Sequence, residues 1–186
     1  MKWSYVTGRE PYRWYYDLID LFFSGPAAPA LSFKCIVIAS ADDPSKPLGK
    51  IGRDEGFYKA YYTFLRHRLA KGHEYHVRLD EKPSPRAEPE ALLGEYLNKA
   101  AQGDPNGAKV LTCKGMCSKT DDLLQLADVL CGCLGWAWNG RQSTCGAKPL
   151  LEAYIAKAGG FADMGNCETS SSAAKFNVWR YRPKRK

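Results

Sequence analysis

The chain has 186 residues, of which 45% are hydrophobic and 25% charged, and it carries a formal net charge of +7. These values predict one globular domain over residues 1–186 and exclude an intrinsically disordered chain, because enough apolar surface can be buried to offset the entropy of folding. No stretch resembles a signal peptide or reaches bilayer length, so we expect a cytoplasmic protein without a membrane partner. Seven cysteines, an odd number, favour reduced thiols over a secreted disulfide framework.

The first half of the chain alternates predicted helices and strands. Apolar residues at helical spacing predict a helix near 11–23, and a β-branched, apolar run predicts a buried strand at 31–40. A loop rich in Pro, Gly and Asp at 42–52 leads to an amphipathic helix over 54–71. Strict alternation of polar and apolar residues then predicts a strand over 74–80.

The second half continues this alternation. The pattern predicts a helix over 89–100, a short strand over 109–113 and a helix that Thr120 caps. Pro149 begins a further helix, which two glycines close, and the segment 176–181 is typical of an edge strand. Strands that alternate with helices predict an α/β fold in which at least part of the sheet is parallel.

The helix after Thr120 contains an unexpected acid. Asp128 has apolar neighbours in sequence, and burying an unpaired carboxylate costs several kcal/mol, on the order of 3 or more. At 100° per residue, Asp128 belongs to a narrow stripe of polar or small residues on an otherwise apolar helix. We expect this stripe to approach the sheet closely, at the end where Asp80 emerges. The stripe consists of Asp121, Gln125, Asp128, Gly132, Gly135 and Asn139.

Two carboxylates that converge from a strand end and a facing helix suit a divalent cation. Asp80 and Asp128 are therefore the predicted ligands of Mg²⁺ or Mn²⁺, which prefer oxygen ligands and can stabilise a phosphoryl displacement. The alternative is that Asp128 hydrogen-bonds a neighbouring backbone group or an arginine and serves packing alone. The spacing leaves both interpretations open.

The positive charge of the chain suits an anionic partner. Phosphate neutralisation by Lys and Arg drives sequence-independent binding of nucleic acid. An ordinary solvated surface together with a basic C-terminal tail at 182–186 explains the same charge, so charge alone does not decide. The candidate nucleic-acid contacts are Arg66, Arg68, Arg78 and Lys148.

The segment CSKTDDLLQLADVLCGCLGW at 117–136 resembles a pattern of the proteins catalogued as domain of unknown function 3800, in which Ser-Lys precedes Leu-Leu-Gln-Leu-Ala-Asp. The helix FYKAYYTFLRHRL, the strand YHVRLD, the start MKWS and the segment KFNVWRY follow the order of the same family. The resemblance extends over nearly the whole chain. It implies a ribonuclease H-like mixed sheet flanked by helices, with acidic residues gathered around the sheet.

Carried onto this sequence, the resemblance implies an acidic site of Asp80 and Asp128, with Gln125, Ser118 and Lys119 beside them. The family usually begins with a strand bearing Asp-Glu-Ser-Gly, which this chain lacks, so we expect the N-terminal strands of the fold to be missing. A truncated or alternative start, a strand supplied by another chain or a second copy, and a rearranged sheet are three explanations.

Two functions follow from these features. The first is metal-dependent hydrolysis of phosphodiester bonds in DNA or RNA, with Asp80, Asp128, Gln125 and Lys119 as the catalytic group. The second is a catalytically incomplete domain that keeps the fold and the basic surface and acts in nucleic-acid binding or as a scaffold.

Cysteine chemistry is a weaker alternative. Cys113, Cys117, Cys131 and Cys133 are spaced in two pairs, but the last two lie about 200° apart around a helix and cannot both face one zinc ion. A cysteine nucleophile paired with a histidine stays open, although no local motif supports it.

Overall fold

The structure is a computed structural model, and it shows a mixed α/β protein. The described residues form two compact units, the first made of 1–39 and 125–186 and the second of 40–124. The predicted loop 42–52 and most of the basic tail 182–186 lie outside the described residues, and the single domain over 1–186 stays a prediction. The structure describes residues 1–39, 53–81, 89–102, 107–141 and 146–182, without the side chains of 53–57.

Helices and strands alternate along the chain from α1 to β3, and two helices then precede the last strand, as the sequence predicts. The helices are α1 (Arg13–Phe23), α2 (Arg53–Arg66), α3 (Pro89–Ala101), α4 (Asp122–Trp138) and α5 (Ala147–Gly159). The strands are β1 (Phe33–Val37), β2 (Glu74–Asp80), β3 (Lys109–Met116) and β4 (Phe176–Arg180).

Each unit contains one pair of parallel strands. In the first unit β1 pairs with β4, beginning at Phe33 opposite Phe176. In the second unit β2 pairs with β3, beginning at Glu74 opposite Lys109. The prediction of parallel strands is therefore confirmed.

The first unit is built around α4, most of whose apolar residues from Leu126 to Ala137 are buried. Leu130 and Leu134 are almost fully buried among side chains of α1 and α5, and Val178 of β4 lies in the same core. This burial explains why the helix is apolar on most of its circumference. The core residues with the lowest exposure include Ile19, Phe22, Leu151 and Ile155.

Among the described residues of the second unit, helices α2 and α3 cover one face of its strand pair. Val77 and Leu79 of β2 pack with Val110 of β3 against Leu93 and Leu97 of α3. Tyrosine and leucine side chains of α2 and of the turn after it complete this core. The residues that alternate with these apolar ones therefore point away from the helices.

Several predicted boundaries are wrong by a few residues. Helix α2 ends at Arg66 rather than at 71, since the backbone N–H groups of Arg68 and Leu69 both turn back to the carbonyl of Leu65. Strand β3 continues to Met116, three residues beyond its predicted end. Helix α5 begins at Ala147, so a proline occupies its third position.

The residue that caps the N-terminus of α4 also differs from the prediction. Thr120 lies in a 3-10 turn, and its hydroxyl donates to the carbonyl of Cys117. The carboxylate of Asp121 instead accepts the backbone N–H groups of Leu123 and Leu124, both at 3.0 Å. Aspartate is as good an N-cap as serine or threonine, so either residue satisfies the sequence rule.

The polar stripe of α4 receives the N-terminal segment of the chain. The backbone N–H of Trp3 donates to Asp128 Oδ2 at 2.9 Å, and the nitrogen of Met1 donates to Gln125 Oε1. The Trp3 side chain lies directly on Gly132, where a Cβ atom would overlap it. The stripe does allow a close approach, but the neighbour in its own unit is this segment and not the sheet.

The two glycines of the stripe provide a matched stability test. Gly132→Ala places a methyl group in the space that Trp3 occupies. We expect this change to lower the free energy of unfolding by about 2 kcal/mol. Outside the neighbouring backbone of its own helix, Gly135 has no atom within 4 Å of the position that a Cβ would take. Gly135→Ala should therefore stabilise α4 by about 0.5–1 kcal/mol.

Urea unfolding of both variants measures these effects. A Gly132→Ala protein as stable as the wild type would show that Trp3 does not pack on this glycine.

Candidate nucleic-acid interface

The outward face of the β2–β3 pair carries polar side chains in register. Alternation along β2 places Glu74, His76, Arg78 and Asp80 on the face that α2 and α3 do not cover. Their partners across the pair are Lys109, Thr112, Lys114 and Met116.

Two cationic side chains lie next to each other on this outward face. Arg78 lies opposite Lys114 in the register of the pair, and both residues are exposed. Neighbouring strands are only about 4.8 Å apart, and like charges on opposite residues repel. No carboxylate among the described residues pairs with Lys114, so an anion from outside would be stabilised at this point.

Asp121 fixes one of these two cations. Arg78 Nη1 lies 3.0 Å from Asp121 Oδ2, and the Asp121 side chain is only 2% exposed. The carboxylate also accepts the two N–H groups of Leu123 and Leu124. The hydrogen bond from Leu124, followed by those from Arg78 and Leu123, holds the pKa of Asp121 below its ordinary value of 3.8.

The two ends of the outward face differ in charge. At the amino end Glu74 and Lys109 neutralise each other in an ion pair of 3.1 Å. At the carboxyl end Asp80 is half-buried, and no hydrogen-bond partner for its carboxylate lies in the described part of the chain. The uncompensated positive charge is therefore confined to the middle of the face.

Strand β3 contains one extra residue beside this positive region. The register passes from Tyr75 opposite Val110 to His76 opposite Thr112, so Leu111 has no partner on β2. A residue inserted in this way is a β-bulge, a feature common beside functional sites. Leu111 is 42% exposed.

The predicted catalytic residues divide between the two units. Asp80 is the last residue of β2, as the sequence predicts, and the exposed Lys119 follows β3 in a 3-10 turn. Both belong to the second unit, whereas Gln125 and Asp128 belong to the first. A site that contains all four residues stays a prediction.

Asp128 has a structural role within its own unit. Its half-buried carboxylate accepts the N–H of Trp3, which satisfies one oxygen and explains how the acid is tolerated in the helix. Gln125 accepts a hydrogen bond from the nitrogen of Met1 in the same way. These contacts support the packing alternative that the sequence leaves open.

The residues expected to hold a divalent cation do not form a ligand set within either unit. In the part of the chain that the structure describes, no three His, Cys, Asp or Glu side chains gather closely enough to hold a metal ion. Asp80 and Asp128 stay the predicted ligands of Mg²⁺ or Mn²⁺.

The predicted nucleic-acid contacts occupy separate positions. Arg66 is exposed at the end of α2, while the guanidinium of Arg68 lies 6.0 Å from the centre of the Phe64 ring. Lys148 of α5 lies 5.9 Å from the centre of the Trp3 ring. Of the predicted four, Arg78 alone belongs to the outward face of β2–β3.

The cysteines at the predicted positions differ in the pKa of their thiols. Burial raises the pKa of Cys113 to about 11, so this thiol is protonated at neutral pH. Burial also raises the pKa of Cys133, whereas a hydrogen bond with Cys35 lowers the pKa of Cys131, which is exposed on another side of α4. The two helix cysteines face different directions, as their spacing predicts.

Lys114 and Leu111 are the residues that sequence reasoning does not find. The predicted strand ends at Cys113, one residue before Lys114. The useful signal is the spacing of three between the apolar Val110 and Cys113, which breaks strict alternation and indicates a bulge.

Comparison of the chain with protein-family models, with curated proteins and with solved structures finds no match. The resemblance to the family of domain of unknown function 3800 therefore stays a prediction. Among the described helices, none has both the length and the apolar character needed to cross a bilayer.

The lowered pKa of Asp121 predicts a pH-dependent stability. A carboxyl whose pKa is lower in the folded state stabilises the fold above its unfolded pKa, and this contribution disappears as pH falls through the folded pKa. Asp121→Asn should therefore lower the unfolding free energy at pH 7 by about 1 kcal/mol. The difference from the wild type should shrink below about pH 4.

Urea unfolding between pH 7 and pH 2 measures this difference, with Asp122→Asn as the control because Asp122 is an exposed neighbour. Parallel pH profiles for Asp121→Asn and the wild type would contradict the assignment.

Proposed function

We propose that this chain binds nucleic acid through the outward face of β2–β3. The observation that carries the proposal is the exposed cross-strand pair of Arg78 and Lys114. A phosphodiester oxygen between them can accept from both side chains, because they lie about one strand spacing apart and Lys114 has no carboxylate partner among the described residues.

The charges around this pair support a specific orientation of the phosphate. Asp121 holds Arg78 through a hydrogen bond and leaves the arginine side chain half exposed. Arg78 can therefore donate to a phosphate from a preformed position, while Lys114 supplies a mobile charge. The net charge of +7 favours approach of a polyanion over the whole surface.

The fold class of this binder is part of the proposal. We infer a ribonuclease H-like protein, supported by parallel strands, by an acid at the end of β2 and by a helix with a central aspartate after β3. A strand added by another chain or a second copy is also proposed, since each described strand pairs with one other strand. We infer a cytoplasmic location from the free thiols of the six described cysteines.

Removal of one cation tests the binding proposal. Lys114→Ala should weaken binding of a fluorescently labelled oligonucleotide by about 3- to 10-fold and reduce the slope of log affinity against log salt by about one unit. Fluorescence anisotropy over a salt series measures both quantities.

Lys99→Ala is the matched control for this measurement. Lys99 is an exposed lysine on α3, which packs against the opposite face of the same strand pair. Equal losses for the two variants would show that only net charge matters and would contradict a site at Lys114.

A second candidate function is metal-dependent phosphodiester hydrolysis. It is favoured by the position of Asp80, which follows Arg78 by two residues on the same face and lies about 7 Å farther along the strand. A phosphate bound at Arg78 would therefore lie near a carboxylate, and Lys119 follows the adjacent strand at the same end. Mg²⁺ or Mn²⁺ is the proposed cofactor, with Asp80 and Asp128 as its ligands.

Cleavage of labelled DNA and RNA with Mg²⁺ or Mn²⁺ tests this candidate. Asp80→Asn should lower the rate on the order of 100-fold without weakening binding, because it removes a negative charge beside the phosphate. Asp128→Asn keeps an oxygen for the N–H of Trp3, so the melting temperature should be unchanged while cleavage falls.

Glu74→Gln is the control for these two variants, since Glu74 lies on the same face at the amino end. Absence of cleavage by the wild type, or cleavage that neither aspartate variant affects, would leave the binding function alone.

A further inference from the structure

The bulge in β3 places two consecutive side chains on the outward face. Val110 is buried in the core of the second unit and Cys113 packs against that core, so both point inward although they are three residues apart. Regular alternation allows one outward residue between two inward ones, and here there are two. Leu111 and Thr112 therefore both lie on the face that carries Arg78 and Lys114.

The same region presents an aromatic ring. His76 lies opposite Thr112, and its Nδ1 is 2.9 Å from the hydroxyl of that threonine. This hydrogen bond restrains the imidazole on the exposed surface. His76 and Leu111 thus supply a flat ring and an apolar side chain next to the two cations.

The described core of the second unit gives no reason for Leu111 to be apolar. It is 42% exposed and lies outside the core of its unit. A phosphate makes no favourable contact with a leucine side chain. An unpaired base has an apolar face that packs on leucine and stacks on histidine. In a duplex these base faces are covered by the neighbouring base pairs.

We propose that the outward face of β2–β3 binds single-stranded nucleic acid, with unpaired bases on His76 and Leu111 and phosphates at Arg78 and Lys114. The inference rests on the proposed function and adds the strandedness of the ligand. The base contacts involve no groove, so DNA and RNA single strands are both ligands of this face.

The test compares anisotropy titrations of labelled DNA and RNA strands of about 12 nucleotides with those of the corresponding DNA duplex. We expect the wild type to bind the single strands more tightly than the duplex. Leu111→Ala should weaken single-strand binding by about 3- to 10-fold and leave duplex binding unchanged.

Leu92→Ala is the matched control, because Leu92 is 39% exposed on α3, away from the outward face. His76→Phe keeps a ring for stacking and should keep or raise single-strand affinity, whereas His76→Ala should lower it. Urea unfolding of each variant shows whether a loss of binding reflects a loss of fold.

The outcomes separate this inference from the binding function. If Lys114→Ala weakens binding while Leu111→Ala and His76→Ala do not, the bases do not pack here and the inference is overturned, but the phosphate site stands. A preference of the wild type for duplex also overturns it. If the wild type binds no oligonucleotide at all, the binding function itself fails.

Discussion

The carboxylate of Asp121 joins the start of α4 to strand β2 through one buried group. It accepts two backbone N–H groups at the start of α4 and the guanidinium of Arg78 on β2. These three hydrogen bonds stabilise the group as an anion despite its burial. The outward face of β2–β3 depends on this arrangement, because it fixes the arginine without covering it.

The two aspartates of the α4 stripe show how different environments give one residue type different roles. Asp121 is paired with a cation and caps a helix, so its negative charge is needed. Asp128 accepts a neutral backbone N–H from Trp3, for which an amide oxygen would also serve. Helical spacing groups the two residues together, but only their partners distinguish them.

The parts of the fold that depend on local sequence could be predicted from it. Strand β2 begins and ends where alternation places it, because each of its residues is either in the core or on the surface. The stripe on α4 correctly indicated a close approach, since small residues have few other uses in a helix interior. The neighbour could not be predicted, because Trp3 lies more than one hundred residues away in sequence and no local pattern encodes that contact.

The candidate site was harder to predict than the fold. Arg78 was found from its position on a predicted strand. Identifying Lys114 as its neighbour requires the register between β2 and β3. That register includes a bulge, and one extra residue moves every later side chain of the strand by one position relative to its partner. A sequence pattern gives the faces of a strand, whereas pairing decides which charges meet.

The arrangement of the units along the chain has a consequence for the order of folding. The second unit is continuous from 40 to 124, so all its strand and helix contacts are present once that stretch has been synthesised. The first unit is divided, and β1 finds its partner β4 only at the C-terminal end of the chain. During synthesis the apolar surface of α1 and β1 therefore stays exposed until most of the polypeptide has been made. We expect this unit to fold later than the other and to be more prone to aggregation.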